Sequence, residues 1–174
     1  MRKALMRRTS WWLASLLVLP LLGCAGAPNG PLFPEVAATL PAVPPDRARI
    51  YFYRDYEPYE SLALTDLFLN GATAGVSRPG VVFYRDVAPG TYDIAVYSVG
   101  ALPNADKHVA LKAGDTVYAK VESLHAWFGG GGGGEGGGYD PDTFVVMLID
   151  PAQAQRELAN MRYVQPPSDV ARAR

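Results

Sequence analysis

The densest group of residues that could bind a ligand is a short run in which tyrosines alternate with other residues. Arg49, Tyr51 and Tyr53 recur at every second position, and Tyr56 and Tyr59 follow. In a strand, alternate side chains share one face, so Arg49, Tyr51 and Tyr53 are expected on the same side. Tyrosine combines an apolar ring with a polar tip, which suits glycan stacking and protein contacts. The run therefore predicts either a ligand-binding surface or a core lined by tyrosines whose hydroxyls reach its rim.

Residues that usually perform acid–base, nucleophilic or metal chemistry form no recognisable constellation. Asp55, Glu57 and Glu60 would supply a carboxylate pair if the fold brought them together, but such a loop is more often solvated. His108 and His125 lie on different segments without acidic neighbours at metal-ligand spacing. No G-x-S-x-G nucleophile elbow occurs. The sequence predicts no catalytic residues, no metal site and no cofactor, and hence a protein that is not an enzyme.

A long run of glycines is a second motif to test for chemistry. Residues 129–138 contain nine glycines and Glu135, and Trp127, Phe128 and Tyr139 flank them. The run lacks the Lys and the following helix that a phosphate-binding loop requires. It therefore reads as a flexible connector between strands. Trp127 and its aromatic neighbours are expected either to pack at the base of the loop or to add to a surface for glycan or lipid.

The single cysteine, Cys24, lies just after an apolar N-terminal run. Four basic residues precede the run over residues 11–22, in the order of a secretory signal peptide over residues 1–23. A transmembrane helix needs about 20 apolar residues, so a retained span is the weaker interpretation. The sequence Leu21-Leu22-Gly23-Cys24 resembles the bacterial lipobox, which implies acyl chains on Cys24. A buried structural cysteine is the alternative. Ala25 instead of Asp resembles the outer-membrane sorting pattern of Gram-negative cells.

Charge limits the partners that the chain can have. The 16 basic and 17 acidic residues give a net charge of −1, and removal of four basic residues with the signal peptide leaves 12 against 17, or −5. This balance disfavours nucleic acid and a polybasic contact with anionic lipid. We therefore expect the acyl chains on Cys24, and not the charge of the domain, to hold the membrane.

The rest of the chain divides into a tether, a β-domain, a helix and a tail. Residues 24–45 are rich in proline, which predicts an extended tether of roughly 60 Å. Residues 46–150 contain short β-patterned runs, including 144–149, which is apolar on both faces and therefore expected at the centre of a sheet. Turn signals between the runs, such as Asn70-Gly71, predict a mainly β fold, an antiparallel β-sandwich of about seven to eight strands.

One helix is expected, docked on the sandwich within residues 151–164. Asp150 is the predicted N-cap, Gln153 its capping-box partner, and Ala154, Leu158 and Met161 share one face. Residues 165–174 are expected to form a flexible tail.

Four motifs of the β-domain resemble domain-of-unknown-function family 2846, which occurs in bacterial lipoproteins. They are Ala48-Arg-Ile-Tyr-Phe-Tyr-Arg54, Leu69-Asn-Gly71 with Gly75, Pro89-Gly90-Thr-Tyr92, and Leu111-Lys-Ala-Gly114-Asp-Thr-Val-Tyr118. The resemblance covers about residues 46–150 and implies a sandwich on a lipid tether. It implies no activity and no site residues.

Together these features predict a lipoprotein of the cell envelope, anchored in the outer membrane and facing the periplasm. Its sandwich is expected to bind or scaffold another envelope protein, and a module that binds envelope glycan is the alternative. Exposed aromatic side chains converging on a groove would favour glycan. A flat apolar face or an open sheet edge would favour protein, and a concave pocket with facing carboxylates would favour an enzyme.

Overall fold

The computed structural model describes residues 29–56, 62–98, 105–124 and 143–165, which form strands and two short helices. In chain order the elements are α1 (Phe33–Ala37), β1 (Ala48–Arg54), β2 (Thr65–Leu69), β3 (Ala72–Ser77), β4 (Val81–Val87), β5 (Gly90–Val96), β6 (Lys107–Leu111), β7 (Thr116–Ser123), β8 (Phe144–Ile149), α2 (Pro151–Leu158) and β9 (Arg162–Tyr163).

The strands form two sheets, which confirms the predicted mainly β sandwich. One sheet has the order β8-β7-β1-β4-β9, and the other has the order β3-β2-β5-β6. Most pairs are antiparallel, but β1 pairs with β7 in parallel, as does β4 with the short β9. Parallel neighbours need a long connection, and here β1 and β7 are separated by the whole of the second sheet.

The main core lies between the two sheets and follows from strict alternation along the strands. Ile50 and Phe52 of β1 enter it from the five-stranded sheet, and Leu67 and Ile94 enter it from the four-stranded sheet. All four side chains are fully buried. Burial of a large apolar side chain stabilises the fold by about 1.5–3 kcal/mol, so this layer dominates the stability of the sandwich.

A second core covers the outer face of the five-stranded sheet. Ala154, Leu158 and Met161 are buried there, as predicted for one face of the helix. Asp150 caps α2 as predicted, because its Oδ1 accepts hydrogen bonds from the backbone N–H groups of Ala152 and Gln153. The side chain of Gln153 instead donates to Glu157, so the predicted capping box is wrong.

Helix α2 is shorter than predicted, because it ends at Leu158 and the chain then adds β9 to the edge of the sheet. Strand β8 also differs from the prediction, since it lies at an edge of its sheet and not at the centre. Its apolar pattern has another cause: Phe144 and Val146 enter the main core, and Ile149 packs against the second core.

The described part of the proline-rich segment is docked on the domain, which corrects the predicted extended tether over residues 24–45. Helix α1 lies within it, and the backbone N–H of Phe33 donates to the carbonyl of Met161 at 2.8 Å. The N–H of Tyr163 donates to the carbonyl of Pro31 at 2.9 Å. Proline does not prevent these bonds, because Pro31 contributes only its carbonyl and Pro34 lies in the first turn of α1.

Local turn chemistry follows the sequence closely. Asn70 and Gly71 join β2 to β3 with φ values of 48° and 78°, the left-handed values that a two-residue hairpin turn requires. No helix within the described ranges is long and apolar enough to cross a membrane.

Candidate functional site

The predicted binding residues of β1 share one face, but that face is covered. Arg49, Tyr51 and Tyr53 are 3%, 9% and 2% exposed, respectively. Residues of α1 and α2 pack against the two tyrosines, and Arg49 is enclosed by its own partners described below. These three side chains therefore present no open surface to a ligand, and Tyr51 and Tyr53 belong to the second core. Tyr56, just beyond the strand, is 50% exposed.

Three predicted site residues lie outside the described ranges. They are Tyr59, Trp127 and the proposed lipidation site Cys24. The glycine run at 129–138 and the tail residues 166–174 lie outside those ranges as well.

Arg49 is held by a dense set of partners. Its Nε and Nη2 donate to the two carboxylate oxygens of Asp86 at 2.7 and 2.8 Å, and its Nη1 donates to the carbonyl of Pro41 at 2.8 Å. The guanidinium also lies 3.8 Å from the ring centre of Tyr84. The hydrogen bond to Asp86 raises the pKa of Arg49, so this buried cation stays charged. Arg49 therefore ties the N-terminal segment to the sheet and is not available to a ligand.

The second core contains several paired aromatic rings. The ring of Tyr51 lies parallel to that of Tyr118 at 5.3 Å and meets the edge of Phe33 at 5.7 Å. Tyr163 stacks on Tyr84 at 6.2 Å. Such ring pairs add about 0.5–1.5 kcal/mol beyond their area burial. These four tyrosines thus serve packing, because each stacks on another ring of the second core.

The most polar constellation is centred on Lys120 of β7, and sequence reasoning did not identify it. The ammonium Nζ lies 2.6 Å from Asp55, 3.3 Å from Glu122 and 3.5 Å from Glu157. The hydroxyl of Tyr53 donates to Glu157 at 2.6 Å. We call these five residues the Lys120 cluster. They meet because the parallel register places Tyr53 directly beside Lys120.

Interactions within the Lys120 cluster favour the charged forms of Lys120 and Glu157 and the neutral form of Tyr53. Burial opposes the charged form of Lys120, but the hydrogen bond and charge of Asp55 and the charges of Glu157 and Glu122 outweigh it and raise the pKa. Burial raises the pKa of Tyr53, and its hydrogen bond to Glu157 adds to the effect. For Glu157, burial works against ionisation, yet hydrogen bonds from Tyr53 and Gln153 and the charge of Lys120 lower its pKa.

This geometry indicates a structural role for the Lys120 cluster. Every charged group in it has a partner, so it offers neither a free base nor a free nucleophile. Asp55 was one of three carboxylates considered for acid–base work, and it is engaged by Lys120, while Glu57 and Glu60 lie outside the described residues. Within the ranges that the structure describes, no group of His, Cys, Asp and Glu is arranged to hold a metal ion.

The sequence signal for the Lys120 cluster is weak but identifiable. A lysine in the middle of an apolar strand, with Tyr118 and Glu122 at the alternate positions, indicates a polar side chain on a covered face. Its partners are distant in the chain, so only the pairing of β1 with β7 reveals them.

The outer face of the four-stranded sheet contrasts with the covered face of the other sheet. No described element packs on it, and it presents Phe68, Val76 and Ala95, all half-buried, next to Tyr97, which is 61% exposed. At its β6 side, His108 is exposed with its Nδ1 3.3 Å from Asp93. Among the described residues, this face therefore presents small and apolar side chains together with the carboxylates of Asp66 and Asp93.

Comparison with known proteins gives a family but no activity. A family model described as "Protein of unknown function (DUF2846)" matches residues 44–132. The four motifs quoted above, which run from β1 to the start of β7, all lie within that range. The range ends before β8 and α2. No curated protein matches the chain.

Proposed function

The chain belongs to the family of proteins of unknown function DUF2846, and from that starting point we propose that it is a lipid-anchored envelope protein that binds another protein and has no catalytic activity. The observation that carries the proposal is the difference between the two sheets. One outer face is covered by helices and aromatic rings, and the other is left bare among the described residues.

A sheet face that no described element covers suits a protein partner better than a glycan. Phe68 of β2 lies beside Ala95 of β5, and the exposed Asp66 of β2 lies between Val76 of β3 and Tyr97, which follows β5. The face therefore combines apolar side chains with a carboxylate. Flat apolar patches rimmed by polar residues are typical of protein-contact surfaces. Sugars are usually held by exposed rings, and the rings of Tyr51 and Tyr53 that suggested a glycan site are buried.

The anchor is inferred from the lipobox at Cys24, and the docked segment limits its reach. The chain is held to β9 from Gly30 onward, since the Arg162 side chain donates to the Gly30 carbonyl at 3.0 Å. Six residue steps from Cys24 to Gly30 span at most about 20 Å. We therefore propose that the domain is held close to the outer membrane, facing the periplasm, and not at the end of a long spacer.

Two measurements on the full chain test the proposal. Cells fed an alkyne fatty acid are expected to label the wild-type protein and not the Cys24→Ala variant. The detergent-solubilised, lipidated chain is then used as bait for envelope extract. In a parallel experiment its retention on purified peptidoglycan is measured. We expect one stoichiometric protein to be captured by the wild type and to be lost with Ala95→Arg, which places a charge on the bare face.

The matched control is Ala152→Arg on the exposed side of α2, which is expected to capture the partner normally. Absence of label on Cys24 would overturn the anchor. Retention on peptidoglycan without a protein partner, or equal capture by the Ala95→Arg chain, would overturn protein binding through this face.

A further inference from the structure

Three of the four sheet edges are protected from pairing with another strand. Residues 31–33 lie along β9, and at β8 the backbone N–H groups of Phe144 and Val146 donate to Ser98 Oγ and the Ala105 carbonyl. Strand β3 carries a bulge, and Arg85 Nε caps its Ala74 carbonyl at 2.7 Å. Bulges and capped groups are the usual means of preventing edge-to-edge association.

The fourth edge, β6, has outward-facing backbone groups at His108 and Ala110. Asp93 of β5 exchanges hydrogen bonds with Asn70 on the β2 side, so its backbone faces away from β6. Because backbone groups alternate in direction along a strand, it is Tyr92 and Ile94 that bond to β6, at Val109 and Lys107. The N–H and C=O groups of His108 and Ala110 then point outward, and no described strand pairs with them.

This edge is complementary to itself. In an antiparallel pair of two β6 strands related by a two-fold axis at Val109, His108 of one copy lies opposite Ala110 of the other. These are the residues whose backbone groups face outward, and such a pair exchanges both N–H···O bonds. Ala110 leaves room for the imidazole, and Lys107 lies opposite Leu111, so no like charges meet.

The apolar side of the same edge is incompletely covered. Val109 is only partly buried where it packs against the main core. Pairing about Val109 would place the Val109 side chain of a second copy on this inner side. Backbone and side chains therefore favour the same arrangement.

We propose that two copies of this chain pair through β6, which joins their four-stranded sheets into one continuous sheet and doubles the bare face offered to a partner. A strand of five residues gives a weak contact in solution. The link to the membrane rests on the proposed lipid anchor, which would confine the copies to one surface and raise their effective concentration.

Cysteine cross-linking of the full chain in detergent tests the pairing directly. Directly opposite residues of a non-hydrogen-bonded pair have Cα atoms about 4.5 Å apart, within disulfide range. Val109→Cys is therefore expected to form a disulfide-linked dimer under mild oxidation. The wild type controls for linkage through Cys24, and Thr73→Cys on the protected β3 edge of the same sheet is the matched control. Neither is expected to link.

A second variant guards against loss of folding. Ala110→Pro removes an outward N–H that β5 does not use, so the fold is retained and the dimer dissociation constant is expected to rise at least tenfold in sedimentation velocity. The proposal is overturned if Val109→Cys stays monomeric while folded, if Thr73→Cys links equally well, or if Ala110→Pro leaves the association unchanged. Loss of fatty-acid labelling at Cys24 would overturn the anchor alone, because the detergent measurements do not depend on it.

Discussion

At the scale of single residues, the Lys120 cluster places three carboxylates around one ammonium group. Asp55, Glu122 and Glu157 are only partly buried, whereas the Lys120 side chain is 11% exposed. Water screens the carboxylates, so each ion pair contributes less than a fully buried one would. What the cluster does provide is a set of directed bonds between β1, β7 and α2, which are far apart in sequence.

Glu157→Gln tests this connection through its pH dependence. The folded-state pKa of Glu157 is lowered below its ordinary value of 4.5, so its contribution to stability is present above about pH 4.5 and is lost as the pH falls through the folded value. We expect the variant to lose about 1 kcal/mol of unfolding free energy at pH 7, and the difference from wild type to shrink at pH 3.5. Urea unfolding at the two pH values measures both quantities.

The matched control is Asp46→Asn, a carboxylate that is exposed and outside the cluster. It is expected to change the unfolding free energy by less than about 0.5 kcal/mol. A Glu157→Gln chain that loses the same stability at both pH values would contradict the electrostatic explanation.

At this scale the sequence predicts which side chains share a strand face better than it predicts what covers that face. Alternation correctly placed Arg49, Tyr51 and Tyr53 opposite Ile50 and Phe52. It could not reveal that the first face is covered, because the segments that cover it, α1 and α2, are distant in the chain and their docking depends on tertiary contacts. The Lys120 cluster was missed for the same reason.

At the scale of elements, the β2–β3 hairpin depends on a glycine that lies against an aromatic ring. A Cβ at Gly75 would come within 2.7 Å of Cζ and 2.8 Å of Cε2 of Phe83. Gly75→Ala is therefore expected to reduce the unfolding free energy by about 1–3 kcal/mol through overpacking. Chemical denaturation measures the loss.

A double-mutant cycle identifies the cause of that loss. In a Phe83→Leu background the ring is absent, so Gly75→Ala should cost clearly less than in the wild type. Equal cost in both backgrounds would show that strain elsewhere in the strand, and not contact with Phe83, is responsible.

Elements with local signals were predictable, and elements defined by distant partners were not. The Asn70-Gly71 turn and the Asp150 cap need only neighbouring residues. The edge position of β8 was missed, because its apolar residues face two separate cores and therefore resemble a central strand. The end of α2 at Leu158 was missed because β9 forms only through pairing with β4.

At the scale of the whole molecule, the N-terminal segment stabilises the domain that it precedes. Phe33 packs against Tyr51 and Tyr163. We expect Phe33→Ala to lower the unfolding free energy by about 1–2 kcal/mol, less than for a fully buried ring. Hydrogen exchange should become faster in residues 30–41 and remain unchanged in the β2–β3 hairpin.

If hydrogen exchange in residues 30–41 is unchanged in the Phe33→Ala variant, the N-terminal segment does not stabilise the domain, and the predicted free tether is favoured. Proline content alone could not distinguish the two states. It disfavours regular hydrogen bonding within a segment but leaves carbonyl groups free to bond with another part of the chain, as Pro31 and Pro41 do.

The contact between residues 31–33 and 161–163 also sets an order of events during synthesis. Its two sides are separated by almost the full length of the domain, so the loop that must close is the longest among the backbone contacts of the described residues. A nascent chain that emerges from its N-terminus first has Phe33 available long before Met161 exists. Until residues 161–163 are made, Phe33 lacks the carbonyl of Met161 and the ring of Tyr163 against which it docks, so its contact with Tyr51 is not yet held in place.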